Sequence, residues 1–426
     1  MKKLMLSASV LAMSVAAAYS HAAVVNLGLS AACNFNGTLT NPAYSWNGET
    51  YRYCELPSDI SVGNNTIELA ATATLGGTKI LWVLPQVVTV GDGHSSSATP
   101  AGADKTKIVI AAGAKVAGAI QNSALVMTRG TSLDVNGTAA SPVIFSSLDN
   151  GFSGKGEWGG VILSGFGISN QCNDGYVDSY CTMEGISAGT YYFGGGADTT
   201  MSSGSLNYVV ITEGGSVIDV DTDGDPDENS NSGDEINGLT LYAVGSDTEL
   251  NNIHIHDNLD DGIEFFGGQG VNATDLWLTC NQDDSVDWDH GYQGDLLNVQ
   301  IIQQQGADHA FELAGNPNDP NATPYSDASI TNASVTVVGG IGGVDSPFSF
   351  KEGTDASLHN VVLAGFGPGL DCNVANTNHR VNTSDITKIG YDCANSTGLF
   401  PSSDTSATGY TASSFWTATQ GNPGCN

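Results

Sequence analysis

The chain has 426 residues, with 45 Asp and Glu against 12 Lys and Arg and a formal net charge of −33. A surface this anionic repels nucleic acid, anionic lipid and polyuronate chains, so nucleic-acid partners are excluded and divalent cations are favoured. Abundant Gly, Ser, Thr, Asn and Asp suit many short strands joined by tight turns, and no long amphipathic helix is visible.

In chain order, Met1-Lys2-Lys3, an apolar run from Leu4 to Ala18 and the small-x-small site in Ser20-His21-Ala22-Ala23 read as a cleaved signal peptide over residues 1–22, hence export. No later stretch approaches the roughly 18 to 20 apolar residues of a spanning helix, so membrane insertion is not expected. In an exported chain, eight Cys predict bridges. Proximity favours Cys33 with Cys54, Cys172 with Cys181 and Cys372 with Cys393, leaving Cys280 for Cys425, although spacing alone does not fix connectivity. Residues 23–75 hold two of these Cys and several Asn-Gly turns and read as an N-terminal cap.

Strand-length apolar segments then recur between Gly, Asn and Ser, from Lys107 to Val116 through to Leu358 to Leu363. Ile253, Leu276 and Val299 are 23 residues apart, as are Asp260-Asp261 and Asp283-Asp284. Strands repeating at such a period without a helix pattern predict a β-solenoid, because each coil buries its inward side chains only by stacking on the next. About twelve coils at ~4.8 Å each would form a rod of roughly 55 to 60 Å. The solenoid is expected over 76–365, with inserted loops near 172–181 and 219–235, and 366–426 as a C-terminal cap or tail.

Four segments carry a family resemblance: Ile108 to Gly118, Gly137 to Phe145, Glu157-Trp-Gly-Gly-Val161 and Asp261-Gly-Ile-Glu-Phe-Phe-Gly-Gly268. Through them the chain resembles the right-handed parallel β-helix proteins of the pectin-lyase-like superfamily, and more narrowly secreted bacterial β-helix proteins, over roughly residues 75 to 365. The resemblance implies an all-β, right-handed parallel β-helix. It says little about activity, since one fold hosts many functions.

Two acidic constellations stand out. Asp219, Asp221, Asp223, Asp225, Asp227 and Glu228 place carboxylates around Gly224 at the spacing of loops that wrap calcium. Ser230 stands where an EF-hand would close with Glu, so that motif is not met; a solvated acidic insertion is the plainer alternative. The second lies on consecutive coils: with Ile263, Phe265, Val286, Trp288, Phe311 and Leu313 inward, Glu264, Asp287 and Glu312 face outward as a ladder spaced ~5 Å. Asp260, Asp261, Asp283, Asp284, Asp289 and Asp308 crowd its flanks.

Like charges so close need bridging cations or protons. The ladder therefore reads as a calcium stripe with Asp261, Asp284 and Asp289 as further ligands, as a carboxylate pair for hydrolysing neutral glycosides, or as a solvated face. Lyases of the resembled superfamily pair calcium with a basic residue, and hydrolases pair Asp residues with Gly-His-Gly and Arg-x-Lys. Here Asp289-His290-Gly291 only echoes the second pattern, and no Lys or Arg occurs between Lys155 and Lys351, which argues against lyase chemistry. Trp277, Tyr242 and Tyr292 read as outward aromatics able to stack on sugars. His254 and His256, with His290 and His309 on the next coils, offer a zinc or copper alternative. The expectation is an exported, calcium-stabilised and non-enzymatic protein that presents an acidic flank to a glycan or a surface protein.

Overall fold

The computed structural model describes residues 43–72, 77–95, 98–172, 181–182, 193–216, 236–339, 346–366, 370–372, 374–375, 378–393, 399–416 and 425. The signal peptide, Cys33 and the run from Asp219 to Glu228 lie outside the described residues.

Every regular element among the described residues is a strand. In the clearest coils, Glu249–His256, Asn272–Thr279 and Asp295–Gln303 alternate with Ile263–Phe266, Val286–Asp289 and His309–Leu313. Each strand pairs in parallel with its counterpart one coil on, so Ile253 meets Leu276 and then Val299, while Ile263 meets Val286 and then Phe311. The result is a parallel β-helix whose walls form sheets of fifteen and ten strands. Among the described residues ten coils pass through the second sheet, against about twelve expected. The rod is accordingly on the order of 45 to 50 Å long.

The stack also extends beyond both predicted boundaries. Glu49–Glu55, Asp59–Ile60 and Thr66–Leu69 pair in parallel with Ile80–Leu84, Val87–Val90 and Lys107–Ala111. The described part of the expected N-terminal cap is thus the first coil, edged by the antiparallel strand Tyr44–Trp46. At the other end Ile386–Tyr391 pairs with Asp355–Ala364, which carries the stack past residue 365.

Period-two alternation fills the interior: Ile253, Leu276, Val299, Val361 and Ile389 share one buried core with Phe265, Trp288 and Leu313. Each such side chain contributes about 1.5 to 3 kcal/mol by leaving water. Tyr292, expected outside, belongs to this core: its ring stacks 4.3 Å from Phe265 and its hydroxyl donates to Val271 O at 3.0 Å. It lies in a turn after Val286–Asp289, where strand alternation no longer assigns a face.

The long strands bend at single left-handed residues, Asn252 (φ 54°), Asp275 (φ 59°), Asn298 (φ 63°), Asn332 (φ 58°) and Asn360 (φ 58°). Asn and Asp tolerate that conformation, and the bend divides each strand into two arms of the coil. The side chains form a ladder along the axis: Asn298 Nδ2 donates to Asp275 at 2.9 Å, Asn332 to Asn298 at 3.2 Å, and Asn360 to Asn332 at 2.7 Å.

After the last coil, residues 399–416 run back along the outer wall of the first sheet. Backbone amides of Thr408, Tyr410 and Ala412 donate to Asn360, Ser334 and Gln300 at 2.9, 2.9 and 2.7 Å. Gly409 sits so close to Ser334 and Ala333 that a Cβ would overlap them. Phe415 and Trp416 then pack edge-on against Tyr208 and Phe152. Cys425 is bridged to Cys280, and Cys172 to Cys181 and Cys372 to Cys393, as expected. Cys54 is also disulfide-bonded.

Candidate functional site

The ladder forms where the repeat places it. Strand register sets Glu264 beside Asp287 and Asp287 beside Glu312, all on the outer side of the second sheet, because their neighbours Ile263, Phe265, Val286, Trp288, Phe311 and Leu313 are all fully buried inward. Of the three alternatives, a solvated face does not describe the centre of this wall, although Asp283 at its edge is exposed. Asp261, Glu264, Asp284, Asp287 and Asp289 are each only 4 to 9 % exposed.

Contacts from neighbouring coils engage these groups. Asn237 donates its amide to Glu264. Within the turns, Asp284 N donates to Asp261 Oδ1 at 2.9 Å and His309 N to Asp284 Oδ1 at 2.6 Å, which folds the flanking carboxylates over the ladder.

One carboxylate oxygen from each of Asp261, Glu264 and Asp287 lies within 4.8 Å of the others, and the same holds for Asp284, Asp287 and Glu312. Asp287 belongs to both groups. Asp260, Asp261 and Asp283 make a further acidic group, and Asp284, Asp308 and His309 a mixed one. Asp289 joins none of these; it pairs with His290.

Burial, reinforced by neighbouring carboxylates, lifts Asp261 and Asp287 well above the ordinary Asp range. Burial also pushes Asp284 up to about 7, although His309 hydrogen-bonds to it. Asp289 is raised by burial against the pull of His290.

A basic residue is present after all. Lys351 Nζ forms an ion pair with Glu312 Oε2. Burial disfavours its charge, but Glu312 and then Asp287 raise it above the ordinary Lys value. No Lys or Arg lies close to the ladder in sequence, but the fold brings one there: Lys351 is one coil from Glu312. The repeat carried the signal, since Phe350 pairs with Leu313 and Leu313 with Trp288, so Lys351 falls in the column of Asp289.

Asp287 Oδ1 and Asp289 Oδ1 accept no hydrogen bond. An unsatisfied buried oxygen costs a kcal/mol or more, higher if charged. Two oxygens each about 2.4 Å from one Ca²⁺ are at most about 4.8 Å apart, so each triad fits within one coordination sphere. An all-carboxylate donor set with an undonated oxygen at its centre fits a hard divalent cation.

The histidines do not converge. His254 and His256 lie on the first sheet, and Thr279 Oγ1 lies 3.0 Å from His254 Nε2 and 2.8 Å from His256 Nδ1. Trp277 stacks on His254 at 4.0 Å, and Trp416 of the tail packs over both imidazoles. His290 and His309 belong to the second sheet, beside Asp289 and Asp284. Cys280 lies near His256 and Asp257, but its sulfur is committed to Cys425.

The outward aromatics are likewise covered. Trp277 is 5 % exposed beneath the tail, and Tyr242 is buried, stacked on Phe266 with its hydroxyl bonded to Gln171. Tail and inserted segment, which share no period with the coils, close both surfaces.

The architecture is thus that of a disulfide-bridged parallel β-helix with a covered acidic cluster on one wall. The chain belongs to the pectate-lyase like beta helix domain family, whose model matches residues 98–424. No curated protein and no solved structure matches it.

Proposed function

We propose that this chain is an exported, calcium-stabilised β-helix protein whose principal cation centre is the cluster of Asp261, Glu264, Asp284, Asp287 and Glu312. The observation that carries the reading is Asp287: nine-tenths buried, shared by two carboxylate triads, and with Oδ1 lacking any donor. A calcium ion would supply the missing partner and the positive charge, and the donors are the oxygens it prefers. Export is supported by the oxidised cysteines, which suit an oxidising compartment.

The cation is structural in this reading. A glycosidase would need its carboxylates open to a sugar, whereas Glu264 and Asp287 are covered and Glu312 is engaged by Lys351. Contact with a glycan or protein partner then falls to walls outside the cluster.

Titration of chelator-stripped protein with calcium tests this. Binding heat is expected together with a raised Tm, about 2.7 kcal/mol of added stability at a hundred times Kd. Neither heat nor a Tm shift at millimolar calcium would refute it.

A further inference from the structure

We infer that the cluster holds two divalent cations bridged by Asp287, one between Asp261 and Glu264 and the other between Asp284 and Glu312; this rests on the calcium reading above. The geometry is that of two triads with one common member, each compact enough for a single coordination sphere. Within the triads, Asp287 is the shared residue and also the one with a buried oxygen, Oδ1, that no donor reaches, which leaves that oxygen free to act as a bridging ligand.

Charge supports two ions over one. The two triads together hold five carboxylates, and a single dication would leave the cluster strongly negative in a covered site. Two dications and the Lys351 ammonium carry five positive charges, which match the five negative ones. Asp289 stands outside this balance because His290 faces it.

The two positions differ in their surroundings. The Asp261 and Glu264 side receives the neutral amide of Asn237. On the other side Lys351 is paired with Glu312, and His309 lies 3.2 Å from Asp284. Like charge repels an incoming cation, so the second position fills after the first and more weakly. Lys351 thereby sets the calcium level at which the cluster is complete.

The test is a calorimetric count of bound calcium on the full chain after stripping with chelator. It uses a background carrying Asp219→Asn, Asp221→Asn, Asp223→Asn, Asp225→Asn, Asp227→Asn and Glu228→Gln, so that this run adds nothing to the count. Two ions are expected, the second at least tenfold weaker. Glu264→Gln should remove the tighter step, Glu312→Gln the weaker one, and Asp287→Asn both; Lys351→Met should tighten the second step about tenfold. Circular dichroism on each variant confirms that the coils remain folded, and the Glu264 and Glu312 variants separate the two positions even if Asp287→Asn does not fold. A count of one, or one ion retained by folded Asp287→Asn, overturns the bridge and leaves the calcium reading intact. No change in the second step for Lys351→Met overturns its gating role, and a count of zero overturns the calcium reading itself.

Discussion

Replacing Asp287 by Asn should have opposite effects with and without calcium. The carboxylate has its neighbours' oxygens within 4.8 Å in both triads, and two unit charges at that distance repel by about 3.5 kcal/mol at an effective dielectric near 20. Proton uptake by the raised carboxyls already relieves part of this, so the net gain on removing one charge is on the order of 1 to 3 kcal/mol. The amide is nearly isosteric and brings donors to a site crowded with acceptors. In chelator the variant should therefore unfold at higher urea than the parent. In millimolar calcium the order should invert, because the parent gains binding energy that the variant has lost. Urea titrations under the two conditions give both differences. Equal destabilisation in both would show that the carboxylate acts as an ordinary hydrogen-bonded group, and the electrostatic reasoning would fall.

The structure sets three further outcomes. Asp261, Asp284 and Asp287 all have folded values raised above the unfolded ones, so between about pH 4 and 7 the native state binds more protons than the unfolded state. Metal-free protein should lose on the order of 2 to 4 kcal/mol as pH rises through that window, and calcium should abolish the trend; denaturation in chelator at pH 5 and pH 8 checks the sign. Asn298→Gly should cost about 1 to 2 kcal/mol through its lost ladder bonds, and Asn298→Ala about 1 kcal/mol more, because φ 63° strains a Cβ; equal losses would remove strain from the account. Cys425→Ser opens a bridge spanning 145 residues, worth up to about 5 kcal/mol in chain entropy. Amide exchange over residues 404–416 should accelerate markedly, and unchanged protection there would show that the bridge does not hold the tail.

How much of this was legible depended on whether a feature obeyed the repeat. The outward column of Glu264, Asp287 and Glu312 followed from alternation and the coil period, and the register confirms it. The left-handed ladder obeys the same period, since Asn252, Asp275 and Asn298 stand 23 apart, but Asn and Asp mark turns as readily as bends within a strand, so composition alone does not distinguish the two. Distance along the chain hides Lys351, and a solenoid makes that distance irrelevant: every coil returns the chain to the same wall. The burial of the cluster, of Trp277 and of Tyr242 was not readable. For the aromatics it depends on Gln171 and the tail, contacts from segments without periodicity, and for the cluster on the particular side chain, Asn237, that fills the column of Asp261 one coil back. The face of Tyr292 is hidden for a related reason, as the chain after Asp289 has no alternating faces.

The returning tail changes what kind of mechanical object the rod is. A stack of coils in contact only with their neighbours can peel from either end, one layer at a time. Here a single irregular segment crosses the layers and is bonded at Asn360, Ser334 and Gln300 before reaching the aromatic contacts with Tyr208 and Phe152. Pulling the last layer away loads a tie-rod fixed far down the column, and its covalent anchor at Cys280 carries the tension. Extension along the axis then requires many layers to yield together, so the rod should rupture in one large step where an untied stack would unravel in small ones.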